Sequence, residues 1–279
     1  MPTINYVKTK DFFIEKYTLK QPQGDMHYHH AYEIYYVLDG EREYFIGDKF
    51  FKVSSGDLVW VPKDMLHRTD GKGATRFLLY FKEDFLGEYL SEAAIERLAE
   101  NQPFAFRADD EYADDLRSFF LVLLEEYDKG KNRDESYDPF LVARYLSELL
   151  FFIRTHENRY AKKASKAEDR MHHIVKYINE NYPYELTIQE IADKFGITKN
   201  HFCHMFASSM GVTFITYLNT VRIKAACDMM KKDDDNILEI SSKCGFCSQH
   251  YFYRVFKREK GMSPSSYRAQ FRQKPAREK

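Results

Sequence analysis

The chain has little cysteine, little net charge and no long apolar run. Four cysteines in 279 residues do not make the dense disulfide framework of a small secreted domain, and they fit reduced thiols. No apolar run is long enough to span a membrane, and the opening residues MPTINYVKTK lack the hydrophobic core of a signal peptide. A soluble, cytoplasmic protein with no membrane partner is therefore expected. At 279 residues the chain is long for one core, so two or three parts are expected. The formal net charge of −1 hides an asymmetry: residues 166 to 279 hold 19 Lys+Arg against 13 Asp+Glu, and the remainder holds 23 against 30. A basic C-terminal third joined to an acidic remainder suggests a module for a polyanion attached to one with another task.

The first ~85 residues read as strands. YEIYYVL, REYFIG, KFFKV, DLVWV and RFLLYF are short β-branched or aromatic runs separated by DG, GD, SSGD and GKG, the pattern of an antiparallel sandwich or barrel. The period then changes. Tyr112, Leu116, Phe119, Phe120, Leu123, Leu124 and Tyr127 fall at helical spacing, and Phe140, Leu141, Tyr145, Leu146, Leu149, Leu150 and Ile153 do so again after Pro139. The polar stretch RTHENRYAKKASKAEDR marks a linker at 157–168.

The C-terminal third contains an internal repeat. Ile191, Gly196, Phe202, Phe206, Gly211 and Tyr217 recur as Ile240, Gly245, Phe252, Phe256, Gly261 and Tyr267, with an offset of 49 up to the glycine turn and 50 after it. Helix, Gly-containing turn, second helix, twice over, predicts a pair of helix-turn-helix motifs. Thr198 and Ser248 suit the N-caps of the two second helices. With Phe202 and Phe206, and Phe252 and Phe256, facing the core, Lys199, Asn200, Cys203 and His204 point outward on one helix. Gln249, His250, Tyr253 and Arg254 do so on the other, and Lys257 follows them. Asn and Gln can bond bidentately to adenine, Arg to guanine, and Lys or His can reach base or phosphate. Between the copies, Phe214, Tyr217, Leu218, Val221, Ala225 and Met229 predict one face of a connecting helix. Such a helix could hold the recognition helices about 34 Å apart, the spacing of successive major-groove turns.

Over about 100 residues, IADKFGITKNHFCHMF, GVTFITYLNTVRIKAACDMM and ISSKCGFCSQHYFYRVFKREKGMSPSSYR resemble the tandem DNA-binding domain of AraC-type transcription regulators. The resemblance puts base-reading positions on Asn200, Cys203 and His204 in the first motif and on Gln249, His250 and Arg254 in the second. It departs at Cys203, where a stronger hydrogen-bonding residue is common, at Ala207, where lysine is usual, and at Ser241, where alanine is usual. The first motif is therefore expected to make fewer polar contacts than the second. Cys244 and Cys247 form a C-x-x-C pair, but no second pair completes a zinc site, and Cys244 fits packing in the turn.

In the strand region, His27, His29 and Glu33 share one face of an extended segment. Their spacing in MHYHHAYEIYYVLDG, with Gly40, resembles the first motif of the cupin barrel, and GDLVWVPKDMLH, with Gly56, Pro62 and His67, resembles the second. A glycine usual before the first histidine is missing, and Asp64 stands where another glycine is usual. All four positions that bind metal in cupin enzymes, His27, His29, Glu33 and His67, hold competent ligands for a divalent transition metal. Three readings stay open: a metal-free effector pocket, a bound metal, and histidines that satisfy one another. Resemblance to AraC-type regulators favours sensing, with no required cofactor and no catalytic residues. Tyr28, Tyr32, Tyr35, Tyr44, Phe45 and Trp60 offer aromatic faces suited to a sugar, and Tyr35 and Trp60 join the histidines and Glu33 as effector-binding candidates.

These readings give an α+β multidomain chain. A cupin-like antiparallel barrel is expected at 1–90, a helical dimerisation region at 91–156, the linker at 157–168 and an all-α tandem helix-turn-helix domain at 169–279. The resemblance implies a homodimeric, non-enzymatic activator that binds double-stranded DNA and a small molecule, here read as a carbohydrate, and that meets RNA polymerase.

Overall fold

The computed structural model describes residues 5–19, 24–99, 102–107, 110–130, 138–160, 169–232 and 235–272. Contacts divide the chain into two compact units, Val7–Ala167 and Glu168–Lys279 with Met1–Tyr6. A two-residue strand β1 (Asn5–Tyr6) thus falls with the second unit.

In the first unit an antiparallel sheet is built from β2 (Phe12–Leu19), β3 (His27–Tyr28), β4 (Tyr32–Ile46), β5 (Lys49–Ser54), β6 (Asp57–Val61), β7 (His67–Asp70), β8 (Ala74–Phe81) and β9 (Phe104–Arg107). Strand β4 organises them. Its first half pairs with β6 and β8, its second half with β5 and β7, and an irregularity between Val37 and Asp39 separates the halves. Gly40 follows with φ +91, and a Cβ there would come within 2.4 Å of the Gly73 carbonyl oxygen. Only glycine fits both that backbone and that approach.

Side chains on β4 alternate. Tyr32, Ile34 and Tyr36, with Leu58, Trp60, Phe77, Leu79 and Phe81, form one buried face. Tyr35 and Val37, with Val59, Val61 and Leu78, face the other way and meet Tyr44, Ile46, Phe51 and Val53. The first face is covered by two long helices, α3 (Asp110–Lys129) and α4 (Pro139–Tyr160), preceded by the short α1 (Glu83–Leu86) and α2 (Glu92–Ala99). Phe120 stacks on Tyr36 at 5.2 Å and on Phe77 at 5.3 Å. Leu116, Leu123, Leu146, Leu149 and Ile153 complete this core.

The expected helical region differs in three ways. Residues 104–107 return to the sheet as β9 beside β6, tied by Arg107 Nε to Asp57 Oδ1 at 2.9 Å; a four-residue strand leaves too short a pattern to read. Phe140 sits in the first turn of α4, and its ring is 64% exposed. Helix α4 also continues through Tyr160, so residues 157–160 of the expected linker are helical; 161–168 lie outside the described residues.

The second unit is helical: α5 (Asp169–Asn181), α6 (Ile188–Lys194), α7 (Lys199–Met210), α8 (Phe214–Lys232), α9 (Ile237–Lys243), α10 (Gln249–Lys260) and α11 (Pro264–Arg272). The pairs α6–α7 and α9–α10 are the two copies of the repeat. The copies begin alike, because Thr187 and Asn236 each form a reciprocal cap with a glutamate three residues on, Glu190 and Glu239. In α8 the buried side runs through Phe214, Tyr217, Leu218, Ile223, Ala226, Cys227 and Met230, while Val221, Ala225 and Met229 are only partly covered. The buried side is thus wider than the single stripe the spacing predicts, because a helix held between two motifs buries a wider arc.

Candidate functional site

The recognition-type helices α7 and α10 start and end in the same way. Thr198 Oγ1 accepts from the His201 amide at 3.2 Å, and Ser248 Oγ accepts from the Tyr251 amide at 3.4 Å. Both helices end on left-handed glycines, Gly211 and Gly261. Phe202, Phe206, Phe252 and Phe256 are fully buried. Lys199, Asn200, Cys203 and His204 are exposed on α7, as are Gln249, His250, Arg254 and Lys257 on α10. Tyr253 departs from the expected outward set: it is half-buried, edge-on to Phe252 at 5.8 Å, because its position borders the core stripe.

The two exposed faces are chemically unequal. The last turn of α10 carries Lys257, Arg258 and Lys260, whereas the last turn of α7 carries no Lys or Arg. The Arg254 guanidinium lies 5.2 Å over the Tyr251 ring, and the Tyr251 hydroxyl accepts from Asn219 Nδ2 at 2.7 Å. Asn219 is on α8, so the connecting helix braces the platform under Arg254. The sequence gives no signal of this brace. The equivalent positions of the first copy are His201 and His204.

Cys244 is buried with Sγ 3.8 Å from Met229 Sδ, and burial pushes its thiol up to about 12. Cys247 is exposed. A buried, protonated thiol pointed at a methionine is engaged in packing, as the turn position suggested.

A second constellation lies in the first unit. His27 pairs with His67 across β3 and β7, and β4 brings Glu33 beside His67. One ligand atom each from His27, His29, Glu33 and His67 lies within 4.8 Å of all the others, and among the described residues this group alone could hold a metal. Its orientation is set from behind. The Nδ1 atoms of His27, His29 and His67 lie 2.8, 2.9 and 2.8 Å from the carbonyls of Asp25, Ala31 and Met65. A carbonyl only accepts, so each Nδ1 carries a proton, and Nε2 is the atom that each ring turns toward the cluster. Glu33 Oε2 is 3.2 Å from His29 Nε2 and 3.3 Å from His67 Nε2, and Oε1 accepts from the Tyr44 hydroxyl at 3.0 Å. His67 Nε2 is buried and makes no hydrogen bond despite that proximity.

Burial alone would raise the Glu33 carboxyl, but His67 and His29 outweigh it and hold it well below the usual carboxylate range. Burial, then the neighbouring His67, lowers His27 to about 4. Burial and the Glu33 charge push Tyr44 and Tyr80 well up, so both remain donors. Converging Nε2 atoms with a carboxylate, each ring fixed by a second partner, is the arrangement a divalent transition metal needs once its charge displaces the Nε2 protons. It equally suits the hydroxyls of a polar ligand.

Asp64 has φ +60, the left-handed value among the described non-glycine residues, and its amide donates to the His29 carbonyl at 2.8 Å while its carboxylate contacts His30. It thus keeps the glycine-like backbone of the turn. Trp60 is not brought to the cluster. It pairs with Ile34 rather than Glu33 or Tyr35, so alternation sends it to the helix-covered face, stacked on Tyr32 at 5.4 Å. Tyr32 shares that face, while Tyr35 and Tyr44 lie on the cluster's side.

Residues 15–150 match the family described as AraC-like ligand binding domain, and residues 191–270 match a family described as Helix-turn-helix domain. The two matches fall on the strand unit and on the paired motifs. Together the two matches give the chain the domain organisation of AraC-type transcription regulators. It is 31% identical over 156 residues to the uncharacterised helix-turn-helix-type transcriptional regulator YijO of Escherichia coli, 56% of this chain and 53% of that protein. The chain thus spans about half the length of this relative. It is 24% identical over 259 residues to the melibiose operon regulatory protein of Escherichia coli, 87% of this chain and 82% of that protein. Among solved structures, ToxT from Vibrio cholerae aligns at 16% identity over 93% of this chain and 98% of that one, with a TM-score of 0.37.

Proposed function

We propose that this protein is a ligand-responsive, sequence-specific DNA-binding transcription regulator. The observation that carries the reading is the duplicated motif: two identically capped helices, each with its phenylalanines buried and polar, base-competent side chains left exposed. Each helix reads one of two successive major-groove segments, and α10, with Arg254 and its cationic last turn, contributes the larger share. Binding of a small molecule beside Glu33 and the histidines changes DNA affinity through a coupling free energy between the units. The effector is a carbohydrate: the cluster with Tyr35 and Tyr44 offers polar groups beside aromatic faces, and the name of one relative is tied to a sugar operon. The protein works as a homodimer through α3 and α4, where exposed Leu121 and Phe151 supply apolar surface, and acts on RNA polymerase as an activator. This role requires no turnover.

The test is to recover bound sites by genomic footprinting and to measure operator affinity with and without candidate effectors by fluorescence anisotropy. No sequence preference over scrambled DNA would overturn the reading. Light scattering that shows monomer alone, with and without DNA, would overturn the dimer.

A second reading is favoured by the three carbonyl-tethered imidazoles whose Nε2 atoms converge on Glu33: a divalent transition metal held by His27, His29, Glu33 and His67. Such an ion would act as a Lewis acid toward the oxygens of the effector. Elemental analysis of protein purified without chelators checks it, and metal content that is unchanged in His29→Ala would count against it.

A further inference from the structure

We infer that Arg76 and Tyr35 bind the carboxylate of a small hydroxy acid, a sugar acid of the uronate or aldonate kind, whose hydroxyls meet Glu33 and the histidines. This rests on the sensing reading above and narrows its ligand class. Arg76 on β8 pairs with Val37 and Tyr17, which places it on the same side of the sheet as Glu33 and Tyr35. It is 8% exposed. A buried guanidinium is costly unless its fork is matched. Here the fork makes an ion pair, Arg76 Nη1 to Glu15 Oε1 at 3.3 Å, and its Nε is buried without a hydrogen-bond partner. A ligand carboxylate would take Nε and a terminal nitrogen together, in the bidentate geometry that arginine favours.

Tyr35 supplies the second observation. Its hydroxyl is buried and makes no hydrogen bond, although buried polar atoms are rarely left so. Its ring lies 5.2 Å beneath the Arg76 guanidinium and edge-on to Tyr44 at 4.9 Å, and Tyr44 in turn reaches Glu33. Arg76 Nε and Tyr35 Oη are thus two orphan polar atoms on one side of the sheet, on a path from a cation to the carboxylate–histidine cluster. The register places Arg76 opposite Val37, four residues along β4 from Glu33. At about 3.3 Å per residue the two ends are about 13 Å apart along the strand, the scale of a monosaccharide with a side chain at each end. A neutral sugar leaves the guanidinium unmatched, and an aliphatic acid leaves the tyrosine unmatched.

The experiment is thermal shift and operator-DNA anisotropy on the full chain. The probes are galacturonate, glucuronate and gluconate, their neutral counterparts galactose and glucose, and hexanoate. The expected result is stabilisation and altered DNA affinity with at least one sugar acid and with none of the others. Tyr35→Phe should keep or raise the melting temperature without ligand, since it deletes an unsatisfied group, yet weaken the sugar acid by about tenfold. Arg76→Gln should abolish the response. Equal stabilisation by a neutral sugar that survives Tyr35→Phe and Arg76→Gln would overturn the inference and leave the sensing reading intact, as would equal stabilisation by hexanoate. No response to any sugar acid overturns it too; the sensing reading itself fails only if a broad metabolite panel also leaves DNA affinity unchanged.

Discussion

The asymmetry between α7 and α10 makes a quantitative prediction about Arg254. Its guanidinium is exposed toward the reading face and stacked 5.2 Å above Tyr251, which Asn219 holds at 2.7 Å. A bidentate contact to guanine is worth ~1–3 kcal/mol of discrimination. At about 1.4 kcal/mol per decade, Arg254→Ala should weaken operator binding by roughly 5- to 150-fold. Tyr251→Leu keeps the guanidinium but removes its platform; a cation–π contact of about 0.5–1 kcal/mol at an exposed site predicts a loss of roughly 2- to 5-fold. His204→Ala, at the matching position of the first copy, should cost less than Arg254→Ala. The assay is anisotropy with selected and scrambled duplexes over a salt series. Discrimination should fall for Arg254→Ala and Tyr251→Leu, and site selection with the variants should relax at one base pair. If Arg254→Ala weakens both duplexes equally and lowers the salt slope by about one, the side chain is a phosphate contact and the base-reading assignment is wrong. Unchanged affinity would remove α10 from the interface altogether.

Two further outcomes probe the first unit. Phe120 is fully buried between Tyr36 and Phe77, so Phe120→Ala should cost ~3–5 kcal/mol in urea unfolding followed by circular dichroism; a loss under about 1 kcal/mol would mean that the helix pair does not support the sheet. Gly40→Ala places a Cβ 2.4 Å from the Gly73 oxygen at φ +91 and should destabilise by at least ~1–2 kcal/mol, visible as a lowered melting temperature. Wild-type melting would show that β4 can bend by another route.

What could be read from the sequence follows from how each feature is written in it. The tandem motif was legible because glycines and phenylalanines are spaced by helical geometry, and the offsets of 49 and 50 reappear as the start of α9 relative to α6 and of α10 relative to α7. His27, His29, Glu33 and His67 were legible because alternation fixes a face. Trp60 was misplaced for a related reason. DLVWV is buried on both faces, so its composition does not say which side a given residue takes; only its pairing with Ile34 does. Arg76 and the lone Tyr35 hydroxyl were hidden inside runs that read as ordinary strand. The platform beneath Arg254 depends on Asn219, 32 residues from Tyr251, and no local pattern reports a contact of that range.

Strand β4 also has a consequence for how a chemical signal could become a mechanical one. Glu33 and Tyr35 belong to the face that carries the histidine cluster, while Tyr32, Ile34 and Tyr36, their immediate neighbours, belong to the aromatic stack under α3 and α4. Sender and receiver are thus consecutive beads on one string, separated by a single peptide bond. In the sensing role proposed above, a tilt of the pleat on the cluster face would be felt at once on the other face, so the helix pair would register occupancy without any long relay of contacts through the core.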